Sequence, residues 1–140
     1  MTKAVNPPGW KRPRGYSNGM VSATGLLAVA GQIGWDEHEQ LVGPGFIEQF
    51  ERALANVVAV VTAAGGSAAD ILSLRLCVVD KAEYIAAGAR VGEIYRAHMG
   101  KHFPAMALYV VGLLEPGARV EIEALAQLSA SPRSPASGDA

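Results

Sequence analysis

The sequence predicts a single α+β domain in which two helices cover one face of a mixed sheet, in the order β-β-α-β-α-β-β. Three observations lead there. Residues 46–64 repeat apolar side chains at intervals of three and four, the period of a helix with one buried face. Residues 26–33 (LLAVAGQI) and 71–79 (ILSLRLCVV) are short, almost unbroken apolar runs, which suit strands buried on both faces. Residues 119–124 instead alternate: Val120, Ile122 and Ala124 point one way, and Arg119, Glu121 and Glu123 the other.

In chain order, residues 1–15 are rich in Pro, Gly and Arg and read as an extended segment. YSNGMVSATG follows as a short strand between the turn signals Asn18-Gly19 and Thr24-Gly25. LLAVAGQI is the next strand, and WDEHEQLVGPG a polar loop. The first helix turns Ile47, Phe50, Leu54, Val57 and Val61 inward and stops at Gly65-Gly66. After the strand at 71–79, Asp80 and Glu83 have the spacing of a capping box and open a second helix, expected to run to about Met99. Gly88 and Gly92 lie one turn apart on it, which costs helix propensity but permits close approach. Strands at 105–114 and 119–126 are expected to form a hairpin about Glu115-Pro116-Gly117. The domain then spans 1–128, and SASPRSPASGDA at 129–140 is expected to be a disordered tail.

Half of the 140 residues are hydrophobic and 18% are charged, with a mean hydropathy of +0.19. Two helices cannot cover both faces of strands this apolar, so burial against further copies of the chain is expected. The formal net charge of -1 offers no general attraction to nucleic acid or an anionic membrane. No apolar run is long enough to cross a bilayer, and the N-terminus has no apolar signal core, so a cytoplasmic protein is expected. The single cysteine, Cys77, lies inside an apolar strand and reads as a small buried hydrophobe. His38, His98 and His102 form no metal set, and Gly43-Pro44-Gly45 lacks the lysine of a phosphate loop. No metal and no cofactor are expected.

Several short motifs, in order, resemble the Rid (YjgF) family of reactive-intermediate deaminases: Tyr16-Ser17, Ala30-Gly31-Gln32-Ile33, Ala53-Leu54-Ala55-Asn56-Val57 with Ala63-Ala64-Gly65-Gly66, Tyr95, Phe103-Pro104-Ala105, and Val120-Glu121-Ile122-Glu123-Ala124. The resemblance covers residues 16–128. It implies a chorismate-mutase-like fold and a homotrimer with ligand clefts between subunits. It also implies cofactor-free hydrolysis of enamines and imines to carbonyl compounds and ammonia. Glu121 would position the attacking water, Tyr16 would complete the cleft, and Gly31 and Gln32 would line it. The family's substrate-clamping arginine falls on Met106 and its helix asparagine on Gly92. The resemblance therefore implies a divergent member, with Met106 and Leu108 as apolar cleft residues and an atypical substrate, such as a 2-aminomuconate-like catabolic intermediate.

Each candidate also has a plainer reading. Glu121 either activates water or pairs with a base such as Arg119 at a solvated face. Tyr16 either donates to substrate or packs an interface. Arg14, two residues before Tyr16, is a candidate for a relocated clamp, with Arg75 and Arg90 as alternatives. Trp10 and Trp35 either wall a pocket or cover the edge of the core. Two functions follow: an enamine or imine deaminase acting on a small molecule, or a catalytically silent module that binds a small apolar ligand. Relatives described as ribonucleases make RNA a third option, which the neutral charge disfavours.

Overall fold

The computed structural model describes residues 1–129; beyond Ser129, the expected tail lies outside them. Six strands form one sheet: β1 (Lys3–Val5), β2 (Gly19–Val21), β3 (Leu26–Ile33), β4 (Ile71–Val78), β5 (Ala105–Val110) and β6 (Val120–Gln127). The helices are α1 (Phe46–Ala63), α2 (Lys81–Ala86) and α3 (Gly88–Met99). Across the sheet the order is β1-β2-β3-β6-β4-β5, antiparallel throughout except for the parallel pair β4 and β5. The α+β class and mixed sheet are as the sequence predicts, with β1 added inside the segment expected to be merely extended.

Packing of α1 across β3 and β6 makes the core. Its inward stripe is Phe46, Phe50, Ala53, Leu54, Val57, Val60 and Val61, so it starts on Phe46 rather than Ile47. These side chains meet Leu27, Val29, Leu74, Ile122 and Ala124 from the sheet. Burying each large one contributes roughly 1.5–3 kcal/mol. The helix ends as the paired glycines suggest: Gly66 N donates to Val61 O at 3.0 Å and Gly65 N to Thr62 O at 2.9 Å. Gly65 takes the left-handed φ of 98° that this closure requires.

Two expectations are corrected. The last two strands form no hairpin. The Glu115-Pro116-Gly117 turn exists, with Ala118 N donating to Glu115 O at 3.1 Å. It belongs, however, to a crossover that carries β6 past β4 and into the middle of the sheet. Only a strand with one wholly apolar face and neighbours on both sides satisfies β6, and the edge position goes to β5. The second helix also breaks, at Ala87, whose ψ of 6° ends α2 before Gly88 opens α3. Asp80 caps α2 by accepting from Glu83 N at 3.0 Å. Glu83 does not reciprocate, because its carboxylate receives the Arg119 guanidinium instead.

The sheet face turned away from the helices has no cover among the described residues. Met20, Leu26, Leu125 and Tyr109 are all exposed there. The edge strand β5 carries no charge, and Met106, Leu108 and Val110 are each about half exposed. Natural edge strands are normally blunted by charge, proline or a bulge. No helix among the described residues is long and apolar enough to cross a membrane.

Candidate active site

The alternation of β6 sends Glu121 and Glu123 to the open side of the sheet, whereas Arg119 lies just before the strand, and each meets a different fate. Arg119 turns to Glu83, with Nε donating to both carboxylate oxygens at 2.8 Å. Glu123 stands opposite Arg75 on β4 and accepts from its Nη1 at 3.2 Å. Glu121 stands between Ile33 on β3 and Cys77 on β4. Among the described residues it has no hydrogen-bond or ion-pair partner, so the reading that pairs it with Arg119 is set aside. Burial, and then the neighbouring Glu123 charge, push its carboxyl above the usual range. Burial also pushes the Cys77 thiol up, with Glu121 and Glu123 adding to the effect and Arg75 opposing it.

Room for Glu121 comes from β3. The pairing of β3 with β6 skips between Val29 and Gln32, a bulge that brings Gly31 beside the carboxylate. A Cβ on Gly31 would collide with the Glu121 carboxylate. A methyl there would have to push that flexible side chain aside, so the glycine matters for where the carboxylate sits and not for backbone strain; its φ lies outside the left-handed region.

Two buried amides on α1 fix the backbone on either side. Gln49 Nε2 donates to Gly43 O at 2.8 Å and Gly117 O at 3.0 Å, and its Oε1 accepts from Arg119 N at 2.8 Å. Asn56 Nδ2 donates to Trp35 O at 2.9 Å and Ile33 O at 3.3 Å. Gln49 thereby anchors the chain two residues before Glu121, and Asn56 two residues after Gly31. From the sequence, Asn56 stands only within a motif, without a role, and Gln49 is not singled out. The available signal is a polar residue on the apolar stripe of a helix, where an unpaired amide would cost about 1–3 kcal/mol.

Tyr16 lies in the loop between β1 and β2 and is about half exposed. Its hydroxyl is held protonated by partial burial and then by the nearby charges of Glu39 and Glu121. Tyr16 and Glu121 therefore share one electrostatic neighbourhood, and Glu39 is an addition the sequence reading did not make. Arg14 is exposed in the cationic stretch Lys11, Arg12 and Arg14 that leads to Tyr16; among the described residues it has no ion-pair partner. Arg75 and Arg90 are both engaged, with Glu123 at 3.2 Å and Glu93 at 2.9 Å. Trp10 packs against the core edge.

The remaining candidates lie elsewhere. The Gln32 side chain is buried, donating to Asn18 Oδ1 at 3.2 Å and Ala30 O at 3.1 Å, so only its backbone borders the site. Met106 and Leu108 register with Leu74 and Leu76, whose side chains face the helices. Within one chain they lie on the opposite sheet face from Glu121. Met106 and Gly92 instead line a common cavity of about 260 Å³ beneath α3, with Tyr84, Val91, Tyr95 and Phe103.

The architecture defines a small mixed α+β domain with a lone, partly desolvated carboxylate on its open sheet face. A family model described as Endoribonuclease L-PSP matches residues 10–128. Human 2-iminobutanoate/2-iminopropanoate deaminase is 35% identical over 101 residues, 71% of each chain. Among solved structures, the Rid family protein YyfA of Yersinia pestis superposes with a TM-score of 0.79 at 26% identity, covering 91% of this chain and 100% of that one. Escherichia coli TdcF, solved with bound serine, gives 0.76 at 26% identity, over 91% and 99% of the two chains. The chain belongs to the Endoribonuclease L-PSP family, the Rid (YjgF) group that its motifs resemble.

Proposed function

We propose that this protein hydrolyses a reactive enamine or imine to a carbonyl compound and ammonia, without a cofactor, at a cleft completed by further copies of the chain. The observation that carries this reading is Glu121: a carboxylate without a partner among the described residues, raised by burial, with Gly31 kept bare beside it and Tyr16 nearby. A carboxyl tuned upward suits proton transfer near neutrality. Glu121 takes a proton from water as the oxygen bonds to the imine carbon. It returns that proton to nitrogen to give a carbinolamine, then carries the new hydroxyl's proton to nitrogen in turn, so that the C–N bond breaks to release ammonia as the C=O forms. An enamine first gains a proton on carbon and loses one from nitrogen to reach the same imine. Tyr16, kept protonated, donates a hydrogen bond to the substrate. Arg14 is the cation nearest Tyr16 in sequence and would meet a substrate carboxylate on that side.

Two things support assembly into a homotrimer: the uncovered apolar sheet face and the uncharged edge strand β5. The deaminase relatives support the reaction class, and the serine-bound relative supports an amino-acid-sized ligand. RNA cleavage, which the family description names, finds little support in a chain of formal net charge -1.

The test is ammonia release from freshly generated 2-iminobutanoate and from 2-aminomuconate. Turnover is expected to fall by roughly 10²–10⁴-fold in Glu121→Gln, with the fold intact by circular dichroism. Undiminished turnover in that variant removes Glu121 from the mechanism. Saturable binding of an apolar ligand with no ammonia from any imine favours instead the second reading, a silent binding module, which the cavity beneath α3 makes specific. A monomer by sedimentation contradicts the shared cleft.

A further inference from the structure

Between β3 and α1 the chain makes a small hairpin whose tip carries a side chain that the turn itself does not need. Trp35 pairs with Leu41, Asp36 N donates to Gln40 O at 2.9 Å, and Glu39 N donates to Asp36 O at 3.0 Å. The Asp36 carboxylate closes the tip by accepting from His38 N at 2.8 Å and Gln40 N at 3.1 Å. Glu39 is thereby held at a φ of 63°, the sole non-glycine with positive φ among the described residues. Glycine, asparagine and aspartate enter this region readily, and glutamate does not. A strained glutamate that persists points to a use for its side chain.

That side chain turns inward. It is 25% exposed, while His38 and Gln40 on either side are open to solvent. Its Oε1 lies 3.8 Å from Lys11 Nζ, and Lys11 N donates to Glu37 O at 2.7 Å. The hairpin is fixed in turn to α1: Asn56 Nδ2 donates to Trp35 O at 2.9 Å, and Arg52 Nη2 to Glu37 Oε1 at 3.3 Å. A half-exposed ion pair such as Lys11 with Glu39 contributes little to stability, so its effect lies in where it places the chain. Lys11 opens the short stretch that ends on Tyr16.

We propose that Glu39 is a positioning residue, which grips the segment leading to Tyr16 and keeps that hydroxyl poised near Glu121 as a donor to substrate. The use of the donor rests on the deaminase reading; the grip itself does not. Burial first, then the Glu39 charge and then that of Glu121, hold the Tyr16 proton in place. Glu39 thus acts on Tyr16 twice, through the backbone it anchors and through the charge it brings.

Two measurements on the full chain test it: ultraviolet titration of the Tyr16 phenol, taken as the difference between each protein and its Tyr16→Phe counterpart, and ammonia release from 2-iminobutanoate. Glu39→Gln should shift the Tyr16 titration to lower pH, leaving Glu121 from β6 and Arg14 on its own segment as the charges about it. Glu39→Gly relieves the strained φ, so the melting temperature should not fall, yet turnover should drop roughly 10–10²-fold. With Tyr16→Phe already in place, neither Glu39 substitution should lower turnover further, because the two residues act as one unit. An unchanged Tyr16 titration in Glu39→Gln overturns the proposal. Turnover losses that simply add in the double variants overturn it too, and leave Glu39 a turn residue. If the wild type releases no ammonia, the deaminase reading fails, and the titration alone still decides the role of Glu39.

Discussion

The two ends of the sheet follow opposite building rules. Around Glu121 nearly every polar group is tied down: Gln49 and Asn56 anchor the flanking backbone, Arg119 and Glu123 have partners, and Gly31 clears the space. At the β5 edge, under α3, the side chains are apolar, half exposed and held by few hydrogen bonds, with Gly88 and Gly92 thinning the helix above. The first arrangement fixes the backbone on either side of one carboxylate. The second presents apolar side chains with little to hold them in one place.

This contrast can be broken from the tied-down end. Gln49→Leu keeps the volume but strands Arg119 N, Gly43 O and Gly117 O; it should cost about 2–4 kcal/mol in urea unfolding. A comparable substitution at half-exposed Leu108 should cost much less, and equal costs would erase the distinction. Gly31→Ala drives a methyl into the Glu121 carboxylate. Turnover should fall roughly 10²-fold, as misplacement by about an ångström does, while the melting temperature moves little.

A subtler effect concerns acid. The Glu121 carboxyl is raised in the fold, so the native state holds its proton to higher pH than the unfolded chain does. Its contribution to stability is therefore present in acid and is lost as pH rises through the raised value. Glu121→Gln should melt at a higher temperature than wild type at neutral pH, and the gap should close below the ordinary carboxylate range. A gap that widens in acid would mean that Glu121 is stabilised as an anion by a partner. Smallest of all, Arg75→Gln removes a half-exposed ion pair and should change stability by less than about 1 kcal/mol.

Much of this was legible in the sequence, for physical reasons. The helical period of α1, the alternation of β6 and the apolar runs of β3 and β4 each report which side of an element is buried, and that fixes the layers. Periodicity carries no information about which strand lies beside which. The hairpin of β5 and β6 was a natural inference from adjacency, yet β6 inserts between β3 and β4. The break at Ala87 was likewise hidden, since Gly88 lowers helix propensity without marking a boundary. Within the candidate site, strand alternation singles out Glu121, and resemblance adds Gly31 and Tyr16. Glu39 carries no such signal, because it enters only through the loop that the fold places beside Tyr16.

The register of Cys77 with Glu121 has a practical consequence. As the chain's single cysteine, it gives any thiol-directed label one address, one strand away from the carboxylate. Burial first, and the charge on Glu121 second, push its thiol up, so neutralising Glu121 relieves only part of that effect. A change in the alkylation rate at Cys77 on Glu121→Gln would therefore report the charge of that carboxyl without any substrate in hand.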